Sequence, residues 1–234
     1  MSDAAREGDP AAARAPACRI VLFDFDGVLI RGDSFAAFVR ARYRQSPWRL
    51  LLAVPLVVLA SPLALARRGR WRIVRLLARA SLLGIGETRY RDLAAAFARA
   101  HAERPRIFLR EGITALRRHV AAGDRVIVVT GCDQHVARGL FDAIGLDGFE
   151  LVASRLECGW FGLRTGVHCF GARKPRELAT AGFQPPWTVA YTDSAADAPM
   201  LREAEDAVLV NGTPQTCRAL ERALGRSVRR VEWA

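Results

Sequence analysis

RIVLFDFDG, Arg19 to Gly27, is a short apolar run that ends in two carboxylates and a glycine. An unbroken apolar run of this length suits a parallel strand covered on both faces, and the acids and glycine mark the loop that it feeds. RVIVV, Arg125 to Val129, has the same form and ends in Thr130-Gly131. Shorter runs follow at Leu151 to Ala153, Val189 to Tyr191 and Val208 to Val210. Helical spacing separates them at Ile113 to His119, Val136 to Ile144, Arg176 to Ala181 and Pro199 to Glu203. Strand alternating with helix predicts βαβ units, and so an α/β three-layer sandwich with a mostly parallel sheet. GWFGLRTGV, Gly159 to Val167, has the glycine and aromatic content of a small hairpin set into that rhythm. Ser34 to Arg110 reads as mostly helical, broken at Gly84 and Gly86.

The chain has 234 residues, 51% hydrophobic and 25% charged, which is enough apolar surface to offset chain entropy and excludes a disordered or collagen-like class. Five cysteines, with no CxxC or CxxH spacing, suggest neither a disulfide framework nor a zinc site, and fit a reducing compartment. Met1 to Pro16 is Ala-rich without an apolar core, unlike a secretory signal, and residues 1–18 are expected to be a disordered tail.

Charge is concentrated in one segment. Ala36 to Arg110 holds 16 arginines against Glu87, Asp92 and Glu103, or +13, while the rest of the chain sums to −2. Inside that segment lies LLLAVPLVVLASPLALA, Leu50 to Ala66. It has no charge, and arginines precede it (Arg40, Arg42, Arg44, Arg49) and follow it (Arg67, Arg68, Arg70, Arg72, Arg75). A single crossing is disfavoured. Seventeen helical residues reach only about 25 Å, Pro55 and Pro62 interrupt them, and both arginine-rich flanks belong on the cytoplasmic side. A crossing would also put Asp24 and Asp26 on the opposite side of the membrane from Thr130, Lys174 and Asp193. A hairpin or interfacial segment against anionic headgroups satisfies the charges, with Trp48 and Trp71 bracketing it. A helix pair buried in a soluble cap is the alternative, and a nucleic-acid surface fits poorly because a long uncharged run is no phosphate footprint.

In an open parallel sheet, ligands bind beyond the carboxyl ends of the strands. There stand Asp24 and Asp26, then Thr130 and Gly131, then Asp193 and Asp197. Carboxylates so grouped repel unless a proton or a cation lies between them. Hard oxygen ligands without His or Cys suit Mg²⁺. Lys174 is the only lysine among 35 basic residues. A chain that otherwise writes arginine keeps here a compact ammonium, suited to a phosphate as a point charge. Thr130 and the unobstructed N–H of Gly131 offer donors to the same oxygens.

DFDG at Asp24, VVTG at Val128 to Gly131, Lys174, and TDSAAD at Thr192 to Asp197 together resemble the four motifs of the haloacid dehalogenase-like phosphatases, over about Arg19 to Val210. The helical insertion after the first motif resembles the cap of subfamily IB, the group that includes phosphoserine phosphatase. The apolar run, CFGARK around Lys174 and YTDSAAD around Asp193 are closer to the bacterial phosphatidylglycerophosphatase C family.

The resemblance implies a Rossmann-like core over residues 19–34 and 111–234, with a cap over 35–110 containing the membrane-associated segment 50–66. It implies that Asp24 is the nucleophile and Asp26 the general acid and base. Thr130, Gly131 and Lys174 would bind phosphate, and Asp24, Asp26 (through its carbonyl) and Asp193 would hold Mg²⁺. Asp197 would be a direct or indirect acid of that site, with a helix N-cap as the competing role. Asp33, Ser34 and Arg31 follow the nucleophile loop as leaving-group contacts or caps. Val28 departs from the Thr found in many members.

The activity expected is therefore hydrolysis of a phosphate monoester, phosphatidylglycerophosphate before others, at the cytoplasmic face of a bacterial inner membrane. An anionic phospholipid is the expected partner, with neither nucleic acid nor an obligate protein partner. Alternatives are a soluble, cytoplasmic phosphatase for a small metabolite such as phosphoserine, and a non-catalytic basic binding module on the same fold.

Overall fold

The computed structural model describes residues 19–60, 67–160 and 162–234. The expected N-terminal tail, residues 61–66 of the apolar run and the side chain of Trp71 lie outside the described residues.

The strand β1 (Ile20–Phe23) is central. Its residues point alternately to opposite faces, so Val21 and Phe23 enter one apolar core while Leu22 enters another. On one side β1 pairs in parallel with β2 (Arg125–Asp133), which pairs in parallel with β3 (Glu150–Gly159). On the other it pairs in parallel with β5 (Trp187–Thr192), followed by β6 (Ala204–Val210) and β7 (Arg229–Val231). The antiparallel β4 (Gly162–Val167) closes the far edge as the second arm of the predicted hairpin. The order is β4-β3-β2-β1-β5-β6-β7.

Both faces are covered. The helices α5 (Arg110–Ala121) and α6 (Gln134–Asp142) pack Leu116, Val136 and Leu140 on the Phe23 face. On the Leu22 face, α7 (Lys174–Thr180), α8 (Ala198–Arg202) and α9 (Pro214–Leu224) bring Leu178, Met200, Leu201 and Leu220. The three-layer α/β sandwich expected from the alternation is the observed fold. The last helix and strand, α9 and β7, were not part of that expectation.

Among the described residues four helices stand between β1 and α5: α1 (Ser34–Gln45), α2 (Trp48–Ala60), α3 (Arg67–Ser81) and α4 (Glu87–Ala102). Asp33 caps α1 by accepting from the Ala36 N–H at 2.8 Å, so the capping reading of that residue is realised. Pro55 lies inside α2, which continues through it, where an interruption was expected. Two of the flanking arginines also depart from a solvated collar. Arg42 is buried and donates to Gln45, and Arg49 is buried with its guanidinium on the carbonyls of Ala80 (3.3 Å) and Leu83 (2.8 Å). Fixed donors close the end of α3, where four carbonyls lack helical partners. The apolar face of α2 is not buried: Leu51 is 75% exposed and Val54 56%. Among the described residues no helix is long and apolar enough to cross a membrane.

Candidate active site

The sheet changes winding direction at β1, whose neighbours β2 and β5 belong to opposite halves. A crevice opens at such a point beyond the strand ends. Asp24 follows β1, Thr130 lies in the last part of β2, and Asp193 follows β5.

The Asp24 backbone N–H still bonds to the Tyr191 carbonyl at 2.9 Å, so the sheet ladder fixes the position of this residue. Its carboxylate Oδ1 accepts from the Phe25 N–H at 2.7 Å and meets the Lys174 ammonium at 2.9 Å. That ammonium also meets Asp197 Oδ2 at 2.7 Å, to which the Thr192 hydroxyl donates at 2.8 Å. Burial opposes a charge on Lys174, but Asp24 and Asp197 outweigh it and hold its pKa above the ordinary lysine value. Burial pushes Asp24 up and Asp197 adds to that push, while Lys174 pulls it down.

Asp26 is half-buried and accepts from the Ser34 N–H at 2.9 Å. Burial raises its pKa to about 7, against the Ser34 hydrogen bond and with help from Asp33 and Asp193. Gly27 then turns the chain at φ +78°, and a Cβ there would collide with the Asp193 carboxylate. Burial raises Asp193 as well, and Asp197 adds to it.

The Thr130 hydroxyl is fully buried and accepts from the Cys132 N–H at 2.9 Å, which leaves its proton to donate. A register shift between Thr130 and Asp133 turns the chain out of regular pairing there. A Cβ on Gly131 would lie 3.4 Å from the Phe170 ring and 3.6 Å from the Cys169 carbonyl, which brings the loop leading to Lys174 against this turn.

Among the described residues no three His, Cys, Asp or Glu side chains converge as a metal cluster. Asp197 is engaged by Lys174 and Thr192, and no side-chain cap bond forms at the α8 N-terminus that it precedes. Asp24, Asp193 and the Asp26 carbonyl are the groups that could hold a metal ion. They suit Mg²⁺, which is held through one or two carboxylates and keeps waters and substrate oxygens. Burial raises both Asp26 and Asp193, with Asp193 adding to the rise at Asp26 and Asp197 to the rise at Asp193, and a cation among them would lower both.

Three contacts at the site involve residues to which the sequence motifs assign no role. Thr192 orients Asp197, although it stands beside Asp193 in the quoted motif. Phe170 faces Gly131. Tyr90 of α4 donates to Asp133 Oδ1 at 2.6 Å, joining the inserted helices to the end of β2. Phe170 and Tyr90 carry no local signal, because their partners lie far away in sequence.

Residues 21–202 match the haloacid dehalogenase-like hydrolase family. The chain belongs to this family. Protein CicA of Caulobacter vibrioides is 29% identical over 80% of this chain and 83% of its own length. A Bordetella pertussis Tohama I protein of unknown function shares the fold with a TM-score of 0.55 at 22% identity, over 91% of this chain and 98% of that one. A substrate-bound phosphoserine phosphatase does so with a TM-score of 0.53 at 16% identity, over 90% of this chain and 92% of that one. In an open α/β sheet of this kind, ligands bind in the crevice at the switch point, which here lies at the end of β1.

Proposed function

We propose that the protein is a Mg²⁺-dependent phosphomonoesterase that acts through an aspartyl-phosphate on an anionic phospholipid, phosphatidylglycerophosphate before others. The observation that carries the chemistry is the arrangement around Asp24: both of its fixed contacts, the Phe25 N–H and the Lys174 ammonium, fall on Oδ1. Oδ2 is then the oxygen that attacks.

Asp24 Oδ2 forms a bond to phosphorus as the ester oxygen leaves and takes the proton of Asp26. In the second half Asp26 removes a proton from water, the hydroxide oxygen bonds to phosphorus, and the bond to Asp24 breaks to release inorganic phosphate. A pKa near 7 suits Asp26 to both transfers. Thr130, the Gly131 N–H and Lys174 stabilise the charge on the transferring oxygens. Asp24, Asp193 and the Asp26 carbonyl would hold Mg²⁺, which when bound screens the attacking carboxylate from the phosphate.

The lipid substrate is supported by the insertion. Ser34 to Gly86 contains ten arginines and no acid. Within it α2 exposes Trp48, Leu50, Leu51, Leu52 and Val54. A soluble enzyme would be expected to bury such a face, whereas an anionic bilayer complements both the apolar residues and the exposed Arg40, Arg44, Arg75 and Arg79. Arg75 of α3 and Arg173 both act on His168, which places basic side chains beside the loop that carries Lys174.

The test is hydrolysis of phosphatidylglycerophosphate and phosphoserine side by side, with Mg²⁺, by the purified protein and by Asp24→Asn. Turnover of the lipid in preference to phosphoserine, lost in the variant, is expected. Preference for phosphoserine would replace the lipid assignment, and full turnover by Asp24→Asn would remove the nucleophile.

A further inference from the structure

The hairpin joining β3 and β4 has no part in the reaction, yet its turn carries Trp160, which is 100% exposed. A single exposed apolar ring is ordinary at a surface, and it becomes informative where it lies beside further exposed apolar residues. The hairpin is not isolated. Leu83, 38% exposed, forms a bridge with Gly162, and a Cβ on Gly162 would collide with the backbone at Leu82 and Gly84. The turn is thus seated against the connection between α3 and α4.

The buried Arg49 ties the start of α2 to the same place. Its guanidinium donates to the carbonyls of Ala80 and Leu83 and lies 4.7 Å from the ring centre of Trp48, itself 53% exposed. Trp48, Leu83 and Trp160 come from three segments that the Arg49 bond to the Leu83 carbonyl and the Leu83–Gly162 bridge hold next to one another, beside the exposed face of α2. Two exposed tryptophans, an apolar face on α2, and a segment from Ser34 to Gly86 that carries arginines and no acid are what a bilayer interface selects: rings at headgroup level, aliphatic side chains deeper, and cations against anionic headgroups. Glu157 of the hairpin is paired with Arg164.

We propose that Trp48, Leu83 and Trp160 form one aromatic edge that seats in an anionic lipid surface, making the β3–β4 hairpin a second lipid contact beside α2. This rests on the lipid-substrate reading above and extends it to the sheet. Because the hairpin is an arm of β3 and β4, the bilayer would hold the core as well as the inserted helices, and fix the height of the strand ends above the headgroups.

The experiment is co-flotation of the full-length protein with vesicles of phosphatidylcholine containing phosphatidylglycerol, and with phosphatidylcholine alone. Wild type, Trp160→Ser and Leu51→Asp are compared, with hydrolysis of p-nitrophenyl phosphate as the check that each is folded. Wild type should float with the anionic vesicles, and Trp160→Ser should partition about tenfold more weakly, as loss of one buried aromatic implies, with unchanged turnover of the soluble ester. Wild-type flotation that Leu51→Asp abolishes and Trp160→Ser leaves intact would overturn the hairpin contact and spare the lipid reading. No flotation of wild type would overturn both. Concentration-dependent self-association lost in Trp160→Ser, without a change in flotation, would assign the edge to a second copy of the chain and overturn the proposal. Should Trp160→Ser fail to fold, hydrogen exchange of the wild type decides: protection of the 157–163 amides on anionic vesicles supports the contact, and unchanged exchange overturns it.

Discussion

Lys174 and Asp197 form a pair in which each residue is only 1% exposed, with 2.7 Å between the ammonium and Oδ2. Asp24 shares that ammonium from the other side. One cation thus neutralises two buried acids from different strand ends, and it draws α7 against the site by its first residue.

Removing the charge strands both acids. Lys174→Met is expected to lose about 3–5 kcal/mol of stability, the usual cost of breaking a buried ion pair, together with nearly all phosphatase activity. Lys174→Arg should regain part of the stability and little of the activity, because a planar guanidinium cannot occupy the same point between two carboxylates. Urea midpoints and turnover of a soluble ester, measured on both variants, check the split. A Lys174→Met protein as stable as wild type would remove the compensating role assigned to this ammonium.

Gly27 lies in the loop after Asp24 and against Asp193. Its φ of +78° is costly for an L side chain by about 1–2 kcal/mol, and the added methyl of Gly27→Ala would also meet the Asp193 carboxylate. The variant is expected to fold but to lose at least tenfold in turnover, and to require more Mg²⁺ for half-maximal activity because Asp193 is displaced. A Mg²⁺ titration of wild type and variant measures this. An unchanged titration would mean that Asp193 does not hold the ion.

Much of the site was legible because its chemistry sits at strand ends that apolar runs announce. RIVLF, RVIVV and the run through Val189 place Asp24, Thr130 and Asp193 before any packing is known. What lay beyond the sequence was pairing over distance. Nothing local shows that Asp197 would be engaged by Lys174 and Thr192. The buried Arg49 resembles its exposed neighbours in composition, and only the end of α3 gives it carbonyls to bind. α9 and β7 follow the last motif, where expectation had stopped, although Pro214 after Thr213 and Gly225 at φ +69° bound the helix by ordinary capping rules.

Tyr90 is 1% exposed and its hydroxyl ties α4 to Asp133 at the end of β2. Tyr90→Phe leaves a buried carboxylate with one donor fewer and should lower stability by about 1–3 kcal/mol. Because that contact steadies the turn holding Thr130 and Gly131, KM for a soluble phosphate ester is expected to rise as well. Denaturation and steady-state kinetics on the same preparation test both effects, and an unchanged KM would confine Tyr90 to stability.

Asp133 gives that contact a pH dependence. Asp133 is 2% exposed, and burial raises its pKa despite the bonds from Tyr90 and from the backbone N–H groups of His135 and Val136. An acid whose folded pKa lies above its unfolded value, about 3.9, binds its proton more tightly in the folded state. Its stabilising share is complete below the unfolded value and is lost as pH rises through the folded one. Asp133→Asn removes this titration while keeping an acceptor for Tyr90. The stability of the variant relative to wild type should therefore increase as pH rises from the ordinary carboxylate range, and become constant once Asp133 is ionised in both states of the wild type. Thermal midpoints of the two proteins across that range measure the difference, and a difference independent of pH would show that Asp133 has an ordinary carboxylate pKa in the folded protein.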